Sequence, residues 1–195
     1  SAASDVNKRQ TTFRVGGPAE YLVTPQIAQI PQVVELCRRY DLPLTVIGNG
    51  SNLLIADGGL RGVVMEIGKA ASGIRVIDEE DLAVSAGSLL SETAAFAAKE
   101  GLAGMEFAAG IPGSLGGAVV MNAGAYGGEM KDILSGVRVL TQRGEIRVRP
   151  ADELELSYRH SRMMDERDIV LEARLNLTQD STAVIRARME ELRKK

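Results

Sequence analysis

The chain has 195 residues, 45% hydrophobic and 25% charged, with a formal net charge of −3 at pH 7, a balance that suits one large or two modest domains. Its 23 basic and 26 acidic residues are interspersed, so there is no electrostatic footprint for nucleic acid. No apolar run approaches the ~20 residues of a membrane span, no signal segment opens the chain, and a lone cysteine, Cys37, excludes an internal disulfide and suits a reducing cytoplasm.

The chain starts without methionine at "SAASDVNKRQTTF", which reads as a cut end. Ile30, Val33, Val34 and Cys37 recur at helical spacing and predict a helix that stops before Pro43. "PLTVIG" then reads as a short buried strand, "RGVVMEIG" as another, and "GIRVIDEEDLAVSAG" as a hairpin with an acidic tip at Asp78 to Asp81. "SLLSETAAFAAKEGL" is an Ala-rich helix, expected to be capped by Ser88 or Ser91 and to end at Gly101. "SGVRVLTQRGEIRVRP" alternates on both sides of Arg143 and Gly144, a second hairpin, and "RDIVLEARLNL" is a further strand. "STAVIRARMEELRKK" closes the chain as an amphipathic helix with no stop signal, so a segment of a longer protein is expected. The order predicts an α+β fold, with a smaller lobe over residues 1–68 and a larger one over 69–195.

Glycine, at 21 residues, is in excess, and the excess sits in two loops. In "GNGSN", directly after a strand, Gly48 and Gly50 permit positive φ and let a ligand approach the backbone. Successive N–H groups there make a concave anion site, to which the Ser51 hydroxyl and the Asn52 amide add donors. A tight surface turn explains the same residues. The spacing fits neither the dinucleotide fingerprint nor the phosphate loop of kinase-type proteins. The second cluster, "GIPGSLGGAVVMNAGAYGGEM", places Gly110, Gly113, Gly116 and Gly117 around Pro112 and Ser114. A helix starting near Pro112 would turn the N–H groups of Gly113 and Ser114 outward, and bare backbone offers a flat ring a bed. Asn122, Gly124 and Tyr126 are then candidate donors and an aromatic edge. The alternative is glycine at tight crossings of a sheet. A large, planar cofactor that carries phosphate accounts for both loops.

Four segments resemble the UDP-N-acetylenolpyruvoylglucosamine reductases in that family's order: "TTFRVGGPAEYLVTP" (11–25), "VIGNGSNLLIADGGLRGVV" (46–64), "GLAGMEFAAGIPGSLGGAVVMNAGAYGGEM" (101–130) and "YRHSRM" (158–163). The resemblance implies the FAD-binding fold of vanillyl-alcohol oxidase and p-cresol methylhydroxylase, with two α+β subdomains, FAD held non-covalently and NADPH as hydride donor. It implies that Gly48, Asn49, Gly50, Ser51, Asn52 and Leu53 surround the FAD pyrophosphate. Gly110, Ile111, Pro112, Gly113, Ser114, Gly116, Gly117, Asn122 and Gly124 would lie along its ribityl chain and isoalloxazine. Tyr158 and Arg159 match the family's Tyr-Arg pair, which meets the substrate, and Arg159 is the catalytic member. The chemistry agrees. Reducing an enolpyruvyl ether pushes negative charge onto the substrate carboxylate, and a fixed guanidinium can hold that charge bidentately. His160, Met105 and Glu106 read as structural. The family's proton-donating serine and catalytic glutamate, on a third domain, have no counterpart in residues 1–195. The implied setting is the cytoplasm, in synthesis of the peptidoglycan precursor UDP-N-acetylmuramate, and hence cell-wall biogenesis, cell shape and division. No metal site is read. Two other functions fit less of the sequence: a flavin oxidase or dehydrogenase acting on a hydroxy acid or sugar, and a non-catalytic nucleotide-binding module. Neither Cys37 nor His160 is placed for the covalent flavin link that many such oxidases carry.

Overall fold

The computed structural model describes residues 17–195; residues 1–16, which include the start of the segment at 11–25, lie outside it. In chain order the larger elements of the first half are β1 (Ala19–Val23), α1 (Ile30–Arg39), β2 (Leu44–Ile47), β3 (Leu60–Glu66), β4 (Ile74–Val76), β5 (Asp81–Ser85) and α2 (Leu90–Lys99). Then come β6 (Leu102–Ala103), α3 (Leu115–Val120), β7 (Gly124–Ala125), β8 (Gly128–Glu129), β9 (Leu134–Leu140) and β10 (Ile146–Pro150). The last are α4 (Arg162–Asp165), β11 (Ile169–Asn176), β12 (Thr178–Gln179) and α5 (Thr182–Arg193). The fold is α+β, as the sequence implies.

Two sheets organise these elements. One has three parallel strands in the order β1-β3-β2. Parallel neighbours cannot be joined by a tight turn, so α1 carries the chain from β1 to β2 and buries Ile30 and Cys37. Strand β1 was not among the strands read from periodicity. The "GNGSN" loop leaves the carboxyl end of β2, the end of a parallel sheet at which ligands are usually held.

The second sheet has five antiparallel strands in the order β10-β9-β11-β5-β4 and contains both predicted hairpins. Along β11, Leu171, Ala173 and Leu175 are buried while Arg174 and Asn176 face out, the period-two pattern of a sheet with one covered face. That face packs under α3, whose Leu115, Ala118 and Val119 are buried. One apolar cluster joins Ile30, Met65 and Ile67 to Leu82, Val84, Leu115, Val139 and Leu175, so both sheets share a core.

Neither expected serine caps α2. Its N-cap is Leu89, with no side-chain bond. Ser91 lies inside the helix, and the Ser88 hydroxyl donates to the Gly73 carbonyl (3.1 Å) while accepting from the Gly73 N–H (3.0 Å). The helix start is instead stitched to the second glycine loop, because the Leu90 N–H donates to the Gly113 carbonyl at 3.0 Å. Gly101, at φ 72°, follows the last turn as expected of a left-handed helix terminator.

The acidic tip of the first hairpin is neutralised from β11. Asp81 accepts from Asn176 Nδ2 (2.8 Å) and from Arg174 Nε (2.9 Å), and these bonds, led by Asn176, hold its carboxyl below the usual carboxylate range. A lowered folded pKa contributes stability above the unfolded value of ~3.9, and the contribution is lost as pH falls through the folded value. Asp81→Asn should cost about 1.5–3 kcal/mol at neutral pH. It should also flatten the acid limb of stability against pH, measured by urea denaturation between neutrality and acid; an unchanged limb would place the linkage elsewhere.

Candidate functional site

The two glycine loops meet. Ser51 Oγ donates to the Pro112 carbonyl at 2.8 Å, across 61 residues of sequence. A Cβ at Gly48 would come within 2.3 Å of Ser114 Oγ, so a side chain there would force that hydroxyl to turn away. Gly48 therefore serves a close approach, and of the two loop glycines only Gly50 uses the left-handed region, at φ 65°. The Ser51 hydroxyl, expected as a donor to a ligand, is spent on the seam between the loops.

Along the first loop the backbone stays available. No N–H from Gly48 to Leu54 donates to another described residue. The second loop behaves otherwise. Its helix, α3, begins after Ser114 rather than at Pro112. The Leu115 and Gly116 N–H groups donate to the carbonyls of Ser88 (2.8 Å) and Ala86 (2.9 Å), which anchors this helix start to the β5–α2 connection, while the N–H groups of Gly113, Ser114 and Gly117 donate to no described residue. Gly116 is a tight crossing, the alternative reading of the glycines: a Cβ there would sit 2.9 Å from that of Ala86. Gly124 is another, with the Gly128 carbonyl 2.7 Å from the same imagined atom. Gly113, at φ 152°, closes the loop beside Ser51.

Around this seam opens a cleft of about 1420 Å³, larger than the ~300–1,000 Å³ of sites for drug-sized ligands. Its lining takes in Gly48, Asn49, Gly50, Ser51, Asn52 and Leu53, then Ile111, Pro112, Gly113, Ser114, Gly116 and Gly117, and further round Asn122, Gly124, Tyr158 and Arg159. Gly110 is the one predicted site residue outside the lining; it is exposed, with nothing within 4 Å of where a Cβ would stand. Asn122 lines the cleft, but its side chain is taken. Nδ2 donates to Glu129 Oε2 (2.5 Å) and to the Ser157 carbonyl (3.1 Å), and Oδ1 accepts from the Lys131 N–H (2.9 Å). Both amide donors are thus withdrawn from a ligand.

Tyr158 and Arg159 form the tip of a two-residue turn whose base, Ser157 and His160, exchanges backbone hydrogen bonds in both directions. Arg159 takes φ 53°, a strained conformation for a side chain of its kind. Arg159 Nη2 donates to Asn52 Oδ1 at 3.1 Å, so the turn touches the first glycine loop across 107 residues. No carboxylate among the described residues pairs with it, which leaves its charge available to the cleft. His160 points away to Asp165, 3.0 Å distant, and is outside the lining. Glu106 accepts from the Gly104 N–H at 2.7 Å and shapes its own loop, and Met105 is core. Cys37 borders the cleft, but burial pushes its thiol up, which disfavours the reactive thiolate.

Other lining residues carried no signal in the sequence. Arg38, Leu42, Val46, Gln142, Met164 and Arg167 reach the cleft from α1, β2, α4 and the segments beside them.

Residues 18–149 match the family described as FAD binding domain. The chain belongs to that family. It is similar to the UDP-N-acetylenolpyruvoylglucosamine reductase of Agathobacter rectalis, 49% identical over 199 residues that cover 96% of this chain and 63% of that protein. The reductase of Lactobacillus johnsonii is 44% identical, over 93% of this chain and 61% of that protein. Among solved structures, the UDP-N-acetylenolpyruvylglucosamine reductase (MurB) of Thermus caldophilus has a TM-score of 0.80 at 37% identity, covering 97% of this chain and 66% of that one. The chain thus spans about three-fifths of the length of the curated relatives it matches, and the resemblance read from the four segments holds.

The residues of this FAD-binding domain fit the cofactor. Unspent N–H groups on the 48–54 loop suit a pyrophosphate, and a long, glycine-lined cleft suits an extended dinucleotide with a flat ring. Gly50→Val should abolish FAD loading while the far-ultraviolet spectrum stays native, because a β-branched residue resists φ 65° at a position outside the helices and strands. A flavin fluorescence titration measures it; unaltered affinity would remove this loop from the cofactor site.

Proposed function

We propose that the chain is the FAD-holding part of a UDP-N-acetylenolpyruvoylglucosamine reductase, which uses NADPH to form UDP-N-acetylmuramate for peptidoglycan synthesis. The observation that carries the proposal is one cleft lined by segments 48–53, 111–117 and 158–159, in a chain 49% identical to a reductase of that name. Bound FAD supplies a two-electron carrier between NADPH and the enolpyruvyl group. The loop at 48–53 binds the pyrophosphate through its free N–H groups, and the 111–117 segment offers backbone, with no projecting side chain at its glycines, to the rest of the cofactor.

Arg159 acts on the substrate in this reading. Its guanidinium, unpaired by any described carboxylate and steadied by Asn52, receives the enolpyruvyl carboxylate and stabilises the charge that builds there during reduction. Tyr158, 89% exposed beside it, meets the same substrate. We also propose residues 1–68 and 69–195 as the two subdomains, since the parallel sheet precedes Gly68 and the antiparallel one follows it. The setting is cytoplasmic, which a single cysteine suits, and the role extends to cell shape and division. No helix among the described residues is long and apolar enough to cross a membrane.

FAD is held without a covalent bond, so acid precipitation of the yellow protein should release the flavin to the supernatant. Colour left in the pellet would point instead to an oxidase with a linked cofactor, and a protein that takes up no FAD would point to a nucleotide-binding module. In the intact reductase carrying these residues, Arg159→Ala should lower turnover on the order of 10²-fold or more with normal flavin content. Arg159→Lys should restore only part, because a point charge lacks the planar fork. Wild-type turnover in the alanine variant would make Arg159 structural.

A further inference from the structure

The Tyr158–Arg159 turn has little to hold it at its tip. Tyr158 is 89% exposed, and the one hydrogen bond of the Arg159 side chain to a described residue runs to a neighbouring loop, at Asn52. The base of the turn is different. The Ser157 carbonyl accepts from Asn122 Nδ2 at 3.1 Å, in addition to the His160 N–H at 3.2 Å. On the other side, Ser161 Oγ donates to the Val120 carbonyl at 2.7 Å. Asn122 and Ser161 are 4% and 0% exposed, so neither bond competes with water. Val120 ends α3 and Asn122 lies two residues beyond it. Two buried polar bonds therefore tie both flanks of the turn to the end of the helix that lines the cleft. Asn122 takes φ 42°, a conformation asparagine tolerates better than most residues, and that bend lies between the helix end and the amide network.

We propose that Asn122 and Ser161 are positioning residues for Arg159, a clamp that holds the Tyr158–Arg159 turn against the end of α3. This replaces the expectation of Asn122 as a cofactor ligand, and the catalytic part of it rests on the reading of Arg159 given above. A guanidinium receives a carboxylate bidentately only within a narrow range of position and angle, and a small misplacement of such a group lowers the rate without removing the group itself. The clamp refers Arg159 to α3, so the residue that meets substrate and the bed that meets the cofactor share one rigid reference. Asn52 adds the third point, from the loop across the seam.

Ser161→Ala removes one donor and leaves the fold's apolar contacts alone, so it is the primary variant, with Asn122→Ala as the second. In the FAD-loaded protein, amide hydrogen exchange at Ser157 and His160 should accelerate in both variants while the amides of β11 stay protected. Unchanged exchange at the turn, with β11 intact, would overturn the clamp. FAD affinity should be unaltered in both; a loss confined to Asn122→Ala would make Asn122 a cofactor ligand and overturn its part. In turnover of the enolpyruvyl substrate by the intact reductase carrying these residues, Ser161→Ala should fall roughly 10- to 100-fold, and it should add nothing to the loss of Arg159→Ala in the double variant, as expected of residues acting through one another. Additive losses would sink the positioning role. If the intact wild-type reductase carrying these residues does not turn this substrate over, the functional reading fails, and the exchange measurement still judges the clamp.

Discussion

Two loops far apart in sequence can face one ligand only if nothing stands between them at their seam. Gly48 faces the Ser114 hydroxyl with no side chain between, and beside that contact Ser51 closes the seam with a 2.8 Å bond to the Pro112 carbonyl. The remainder of the site follows from this approach. It brings the carboxyl end of a parallel sheet against a helix that rests on an antiparallel one. The cleft between them is therefore lined mostly by backbone.

The loops divide the work according to how their N–H groups are used. The second loop spends the first N–H groups of its short helix on the carbonyls of Ala86 and Ser88, and its Gly113 carbonyl accepts from Leu90. It is a rigid floor, fixed to the core through Leu115 and Val119. The first loop makes no such backbone bonds among the described residues, and the Gly113, Ser114 and Gly117 N–H groups of the second also donate to no described residue.

Charge near the cleft is sorted in the same way. Arg38 pairs with Glu35, and Lys131 with Glu129. Buried Arg149 is held between Asp168 and Glu166 and pins the edge strand β10 to the segment before β11. Arg159 is set apart, on a strained turn, with a neutral amide as its partner. An isolated cation held by a neutral residue keeps its attraction for an incoming anion, whereas a salt-bridged one has already spent it. Cys37 and His160, the only cysteine and histidine, are removed from chemistry by opposite means, burial in one case and a surface carboxylate in the other.

What the residues alone determined was local and chemical. Periodicity predicted α1, both hairpins and β11, because a helix or a half-buried strand writes its own repeat into neighbouring positions. The glycine loops and the Tyr-Arg pair were legible as motifs, since bare backbone and a fixed charge are properties of residue type. Strand β1 was not, for its partners lie forty residues on and its half-exposed face has no clean alternation. Only the tertiary structure showed what each glycine makes room for: Gly116 and Gly124 have neighbours where a side chain would be, and Gly50 has a left-handed turn. It also reassigned three polar groups, Ser51, Ser88 and Asn122, from ligand or cap to internal ties. A hydroxyl or an amide has the same donors wherever it sits. Which partner it meets depends on chain segments fifteen to sixty-one residues away, and packing alone brings those together.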